Sequence, residues 1–233
     1  MLTIAILAGG LATRLHPVTK KIPKALLNVS GHPFIFHQLS YLRKQGIKKV
    51  VLCIGHLGEM IESYVGDGSK FDLEVVYSSD QTKLLGTGGA IKKAIPLLGE
   101  QFFILYGDTF LPINFDIVEE EFTKKKLSSL MTILKNNGKW DKSNVFLKNN
   151  QLIKYNKQNP SDDMNYIDYG LSILNSYIFD IYPENYFFDL SSVFEQLSKK
   201  NQLWGLEVYE RFYEIGTSDS LKETENFISN LNY

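Results

Sequence analysis

In the first half of the chain, short apolar runs alternate with stretches of helical spacing. Residues 2–7, 48–54, 73–77 and 102–106 read as strands. From Val50 to Ile54 there is no polar break, as expected of a parallel strand covered on both faces. Phe34, Ile35, Leu39 and Leu42 recur near the helical period and predict a helix over 34–45, stopped by Gly46. A short helix over 58–64 and another over 87–95, ended by Pro96, complete the alternation. Strand–helix–strand order predicts a doubly wound α/β sheet with its ligand site at the carboxyl ends of the strands.

The second half changes character. Helices are expected over 115–125, 190–199 and 218–231, and strands over 128–134, 166–174 and 203–208. Short strands at 145–147 and 152–155 flank Asn149-Asn150 as a hairpin, after a turn at 136–138 and before a polar loop at 159–165. With no linker or repeat, the pattern predicts one domain over 1–233. Its first half, 1–112, would carry the ligand site, and 113–233 would complete the sheet and form a second wall.

Composition narrows the picture. The chain has 233 residues, 44% hydrophobic and 22% charged, enough for a sizeable core without crosslinks. Its single cysteine, Cys53, lies in an apolar run and reads as a buried thiol. A net charge of −1 argues against a nucleic-acid surface, but phosphate binding needs only a few placed cations and backbone N–H groups. The N-terminal apolar stretch ends at Ala8 without a basic lead, unlike a signal peptide, and no apolar run nears the ~20 residues that span a membrane. A cytoplasmic location is expected.

The candidate chemistry starts at the end of the first strand, where residues 7–24 read LAGGLATRLHPVTKKIPK. Gly9-Gly10 allow a tight turn whose consecutive N–H groups can hold an anion. Arg14 adds a planar fork suited to phosphate oxygens, and Pro23 stiffens the approach to Lys24. There is no Walker Gly-Lys-Ser/Thr ending, and Gly9-Gly10 do not open a helix as a dinucleotide loop would. LGTGGA over 85–90 offers a surface without side chains for a flat base, or simply a flexible turn into a helix. Asp108, just beyond the strand at 102–106, is placed either for a ligand or for a cap.

Residues 7–33 resemble the signature of the sugar-1-phosphate nucleotidylyltransferases. The resemblance continues through LGTGGA, YGDT at 106–109, YNK at 155–157 and YEIGT at 213–217, in the family's order. The length is similar to the short heptose-1-phosphate guanylyltransferases and muramate-1-phosphate uridylyltransferases, without the C-terminal β-helix of the long forms. The fold implied is a Rossmann-like doubly wound mixed sheet of the nucleotide-diphospho-sugar transferase type, similar to GT-A.

By this resemblance Leu7, Ala8, Gly9, Gly10, Thr13, Arg14, Gln81, Gly86, Thr87 and Gly88 contact a nucleoside triphosphate. Arg14, Lys24 and Asp108 carry catalysis, and Asp108 and Glu214 hold Mg2+. Lys157, Asp168, Tyr169 and Gly170 bind the sugar phosphate. Asn156 stands where the family usually has glutamate, and Glu214 where most members have aspartate. The reaction implied joins GTP to a heptose-type sugar-1-phosphate for surface polysaccharide, with UTP or CTP and a hexose, muramate or non-sugar phosphate as the alternative. Self-association is also expected. The rival readings are a glycosyltransferase on a similar sheet and a non-catalytic sensor of nucleotide sugars.

Overall fold

The computed structural model describes residues 1–15, 17–80, 84–148 and 151–231, with side chains at 151–153 excepted. Four parallel strands carry the first half: β1 (Thr3–Leu7), β4 (Lys49–Ile54), β5 (Glu74–Ser79) and β6 (Gln101–Tyr106). They join β8 (Ser129–Lys135), β9 (Val145–Lys148), β10 (Gln151–Tyr155), β11 (Tyr166–Asn175) and β12 (Trp204–Val208) in one nine-stranded sheet. The order is β5-β4-β1-β6-β11-β8-β12-β10-β9. β11 runs antiparallel to both β6 and β8, so the sheet is mixed from the point where the second half joins.

Alternation along the buried strands explains their continuous apolar sequences. Ile4, Ile6, Val50, Leu52, Phe103 and Leu105 pack with α1 (Phe34–Lys44), α2 (Gly58–Val65) and α4 (Phe115–Lys124). Ala5, Val51, Cys53, Phe102 and Ile104 belong to the opposite layer, with α3 (Gly86–Leu98) and α5 (Leu190–Lys199). Each strand is thus covered on both faces. A third apolar cluster joins Leu27, Phe34, Phe110 and Ile215 to Ile228 of α6 (Ser218–Ser229).

Several expectations change. The helix expected to end at Pro96 runs to Leu98, with Gly99 N–H closing its last turn on Ile95 C=O at 3.3 Å. Proline in a final turn removes only one intrahelical bond, so it need not stop the helix. The segment after β1 is not irregular throughout: single helical turns stand at Thr13–Leu15, Val18–Lys20 and Lys24–Leu26. Two ribbons escaped the pattern, β2 (Asn28–Val29) with β3 (His32–Pro33), and β7 (Thr109–Phe110) with β13 (Tyr213–Glu214). Strands of two residues have no period to detect. The 145–155 hairpin forms as expected, with Val145 opposite Tyr155, and Asn149-Asn150 lie outside the described residues.

Candidate functional site

The loops after β1, β4 and β6 meet at the carboxyl ends of the parallel strands. A Cβ on Gly107 would lie 2.7 Å from Leu7 O, so that contact requires glycine, and one on Gly9 would press on Gly55 N at 3.0 Å. Gly107 N–H donates to Leu7 C=O at 3.0 Å and Ala8 N–H to Cys53 C=O at 2.8 Å. Further along, Pro23 holds extended dihedrals, φ −64° and ψ 145°, ahead of the turn Lys24–Leu26, which Ala25 anchors in the core.

That turn delivers Lys24 Nζ to Asp108 Oδ2 at 2.7 Å. Asp108 Oδ1 accepts from the Thr109 hydroxyl at 3.1 Å, and its backbone C=O accepts from Ile215 N–H at 3.0 Å. Burial works against the Asp108 charge, but Lys24 and the Thr109 hydroxyl hold its carboxyl below the usual range. The β7–β13 ribbon pairs Thr109 with Glu214, so the two acids are carried on neighbouring positions of one scaffold. Glu214 Oε2 accepts from Gly216 N–H at 2.7 Å. Arg211 pairs with Glu223, not with Glu214.

Two cavities open on this junction. The first, about 450 Å³, is lined by Leu7, Ala8, Gly9, Gly10, Thr13, Lys24, Gly86 and Thr87. The second, about 600 Å³, is lined by Lys157, Asp168, Tyr169, Gly170 and Glu214. Arg14, Tyr106 and Asp108 border both. Burial raises the Asp168 carboxyl above its ordinary value against the pull of Lys157 and of Gly170 N–H, which donates to Oδ1 at 3.0 Å. Lys157 Nζ lies 5.8 Å from the centre of the Tyr106 ring.

Gly88 stands apart from the cavity lining. Its N–H donates to Phe188 C=O at 2.9 Å, as does Gly89 N–H at 3.2 Å, and Phe188 N–H returns to Leu85 C=O at 3.0 Å. A Cβ on Gly88 would lie 2.4 Å from the Phe188 ring. These two amides are engaged by the second half of the chain, and Gly86, Thr87 and Ala90 are the members of the run that line the cavity. Gln81 lies outside the described residues.

Sequence reasoning missed Asp80, Leu84, Phe187 and Asp189 in the first cavity, and Trp140, Asn144, Arg211 and Phe212 in the second. The expected helix start after Asp189 was the one available cue, since aspartate there suggests a cap. Cys53 borders the first cavity but is only 2% exposed, and burial, reinforced by Asp80, pushes its thiol up to about 12. It is a wall residue, as expected from its apolar run.

Among the described residues no group of three or more His, Cys, Asp or Glu side chains could hold a metal ion. Asp108 and Glu214 are hard oxygen donors that both line the second cavity, and a cation there would complete its shell with substrate oxygens. That donor set suits Mg2+, which commonly takes one or two carboxylates plus phosphates. Among the described residues no helix is long and apolar enough to cross a membrane.

The family model described as nucleotidyl transferase matches residues 4–230. The D-glycero-alpha-D-manno-heptose 1-phosphate guanylyltransferase of Aneurinibacillus thermoaerophilus is 30% identical over 94% of this chain and 95% of its own. The N-acetylmuramate alpha-1-phosphate uridylyltransferase of Neisseria meningitidis serogroup B is 40% identical over 47% of this chain; the match spans about half, 48%, of that relative's length. HddC from Yersinia pseudotuberculosis has the same fold, with a TM-score of 0.82 at 23% identity over 98% of this chain and 100% of that one.

Proposed function

The chain belongs to the nucleotidyl transferase family, and we propose that it joins a nucleoside triphosphate to a sugar-1-phosphate, releasing pyrophosphate and a nucleotide sugar. The observation that carries this reading is the junction of the two cavities at Arg14, Tyr106 and Asp108, with Lys24 on Asp108 at 2.7 Å. A triphosphate in the first cavity and a sugar phosphate in the second would meet there. The division is 1–112 for the nucleotide and 113–233 for the acceptor, within one nucleotidyltransferase domain.

An oxygen of the sugar phosphate attacks the α-phosphorus in line. The new P–O bond forms as the bond to the β-phosphate oxygen breaks, and pyrophosphate takes the electron pair. The nucleophile is already ionised near neutral pH, so no general base is needed. The protein's contribution is positioning and charge neutralisation. The amides around Gly9-Gly10 hold the triphosphate, Arg14 neutralises the leaving pyrophosphate, and Lys24 bridges the α-phosphate and the incoming phosphate. Lys157 anchors the sugar phosphate, and Asp168 with Tyr169 and Gly170 accepts the sugar. Mg2+, held by Asp108 and Glu214, would supply neutralisation of phosphate charge.

GTP and a heptose-type sugar-1-phosphate, feeding surface polysaccharide synthesis in the cytoplasm, are the substrates this reading favours, supported by the full-length guanylyltransferase relative. The uridylyltransferase relative favours UTP as the second reading. A matrix of four triphosphates against a panel of sugar-1-phosphates, read by Mg2+-dependent pyrophosphate release, tests both. Release with at least one pair is expected. Binding of nucleotide sugar with no release from any pair would replace this reading with that of a sensor.

A further inference from the structure

The charged groups of the first cavity are segregated by strand. Asp108 follows β6, and Arg14 and Lys24 come from the segment after β1. Asp80 follows β5, two strands beyond β1 in the sheet and so roughly 10 Å away along it. A nucleotide with its phosphates at the β1 and β6 loops therefore directs its base toward Asp80. That end of the cavity holds Leu84 and Phe187, with Phe187 54% exposed, alongside Gly86, Thr87 and Asp189.

Asp80 is fixed rather than free to swing. Its N–H donates to Ile54 C=O at 3.0 Å, and its Oδ2 accepts from Leu85 N–H at 3.1 Å. Lys93, whose charge acts on it, donates to the Ser79 carbonyl and makes no ion pair with Asp80. Burial accordingly raises the Asp80 carboxyl above its ordinary value. With one hydrogen bond from Leu85 N–H, this half-buried acceptor keeps capacity for a ligand that presents donors there.

The common bases differ in what they present. Uracil offers one N–H flanked by two carbonyls. Cytosine and adenine each offer an amino group beside an unprotonated ring nitrogen. Guanine alone has two adjacent donors, N1–H and the 2-amino group, which match one carboxylate bidentately. We propose that Asp80 selects guanine, accepting from N1–H and the 2-amino group of GTP. The inference rests on the reading above that this cavity takes a nucleoside triphosphate.

Equilibrium binding of GTP, ITP, XTP, UTP, CTP and 2′-deoxy-GTP to the full chain and to Asp80→Asn tests it. ITP lacks the 2-amino group, so the wild-type protein should bind it more weakly than GTP, roughly tenfold to a hundredfold. In Asp80→Asn the GTP-to-ITP ratio should fall toward one, and XTP affinity should rise at least tenfold, because the amide can donate to the 2-carbonyl of xanthine. Asparagine keeps an oxygen for Leu85 N–H, so a residue that merely caps its loop would leave both ratios unchanged, and that result overturns the proposal. A loss confined to the GTP-to-deoxy-GTP ratio would assign Asp80 to the ribose and overturn it as well. Asp189→Asn is the comparison and should leave the GTP-to-ITP ratio in place. If Asp80→Asn does not fold, the wild-type ratio decides: equal GTP and ITP binding sinks the proposal. Preference for UTP or CTP removes guanine selection alone, whereas binding of no triphosphate removes the functional reading with it.

Discussion

Glycine, alanine and threonine make up about half the lining of the 450 Å³ cavity, whereas Trp140, Tyr169, Phe212, Tyr213, Lys139, Lys157 and Arg211 crowd the 600 Å³ one. A wall of backbone offers the same amides whatever the neighbouring side chains are, and it suits a group, the polyphosphate, that does not vary. A wall of side chains can be rewritten one residue at a time. On the functional reading above, the reaction is written in the first surface and the acceptor in the second. The seam between them runs through Arg14, Tyr106 and Asp108, and Lys24 reaches it through its pair with Asp108.

The largest effect should come from the seam, because both cavities depend on it. Lys24→Ala or Asp108→Ala is expected to lower pyrophosphate release by on the order of 10²–10³ while the far-UV circular dichroism stays unchanged. A variant with wild-type turnover would remove that residue from the mechanism. Lys157→Ala tests the division itself. It should raise KM for the sugar phosphate roughly tenfold to a hundredfold, the size of one charge-assisted hydrogen bond, and leave nucleotide affinity within about twofold. An equal loss of nucleotide affinity would mean that the cavities do not act separately.

Gly88→Ala probes how the halves are joined. The added methyl meets the Phe188 ring, and overpacking of this kind costs about 1–3 kcal/mol, measurable as a lower midpoint in urea. An unchanged midpoint would show that Phe188 yields without cost. The smallest effect concerns the two acids whose charges act on Tyr106, Asp108 and Asp168. Lys24 lowers the Asp108 carboxyl, so its contribution to stability is present above the ordinary carboxylate value and is lost as pH falls through the depressed one. Asp168 is raised by burial, so its contribution is greatest in acid and is lost as pH rises through the elevated value. Asp168→Asn should therefore raise Tm at pH 7, with the gain fading below about pH 4. A gain that persists in acid would mean that the charge is not its source.

The parallel strands were legible because continuous apolar runs and helical spacing both follow from covering a sheet on two faces. The residues placed at the first cavity were largely those of the motifs, since glycines at strand ends leave a mark in sequence. The β7–β13 ribbon was not legible, because two residues carry no period. Nor were Asp80, Trp140 and Arg211, which reach their cavities through strand order and chain return rather than through local spacing. Gly88 was visible as part of a glycine run, but not its partner Phe188, 100 positions away in the sequence, whose carbonyl takes its N–H.

The ribbon that pairs Thr109, next to Asp108, with Glu214 joins positions made far apart in time. At typical synthesis rates of about 5–20 residues per second, Asp108 leaves the ribosome on the order of 5–20 s before Glu214 does, and the glycine loop about 10–40 s before. During that interval Asp108 C=O has no Ile215 N–H to receive, and Phe110 lacks the cover of Ile215 and Ile228. The first cavity also waits for Phe187, Asp189 and Gly216, so neither cavity has its full wall until the chain has returned. On the functional reading above, the capacity to react would arrive only when β13 docks.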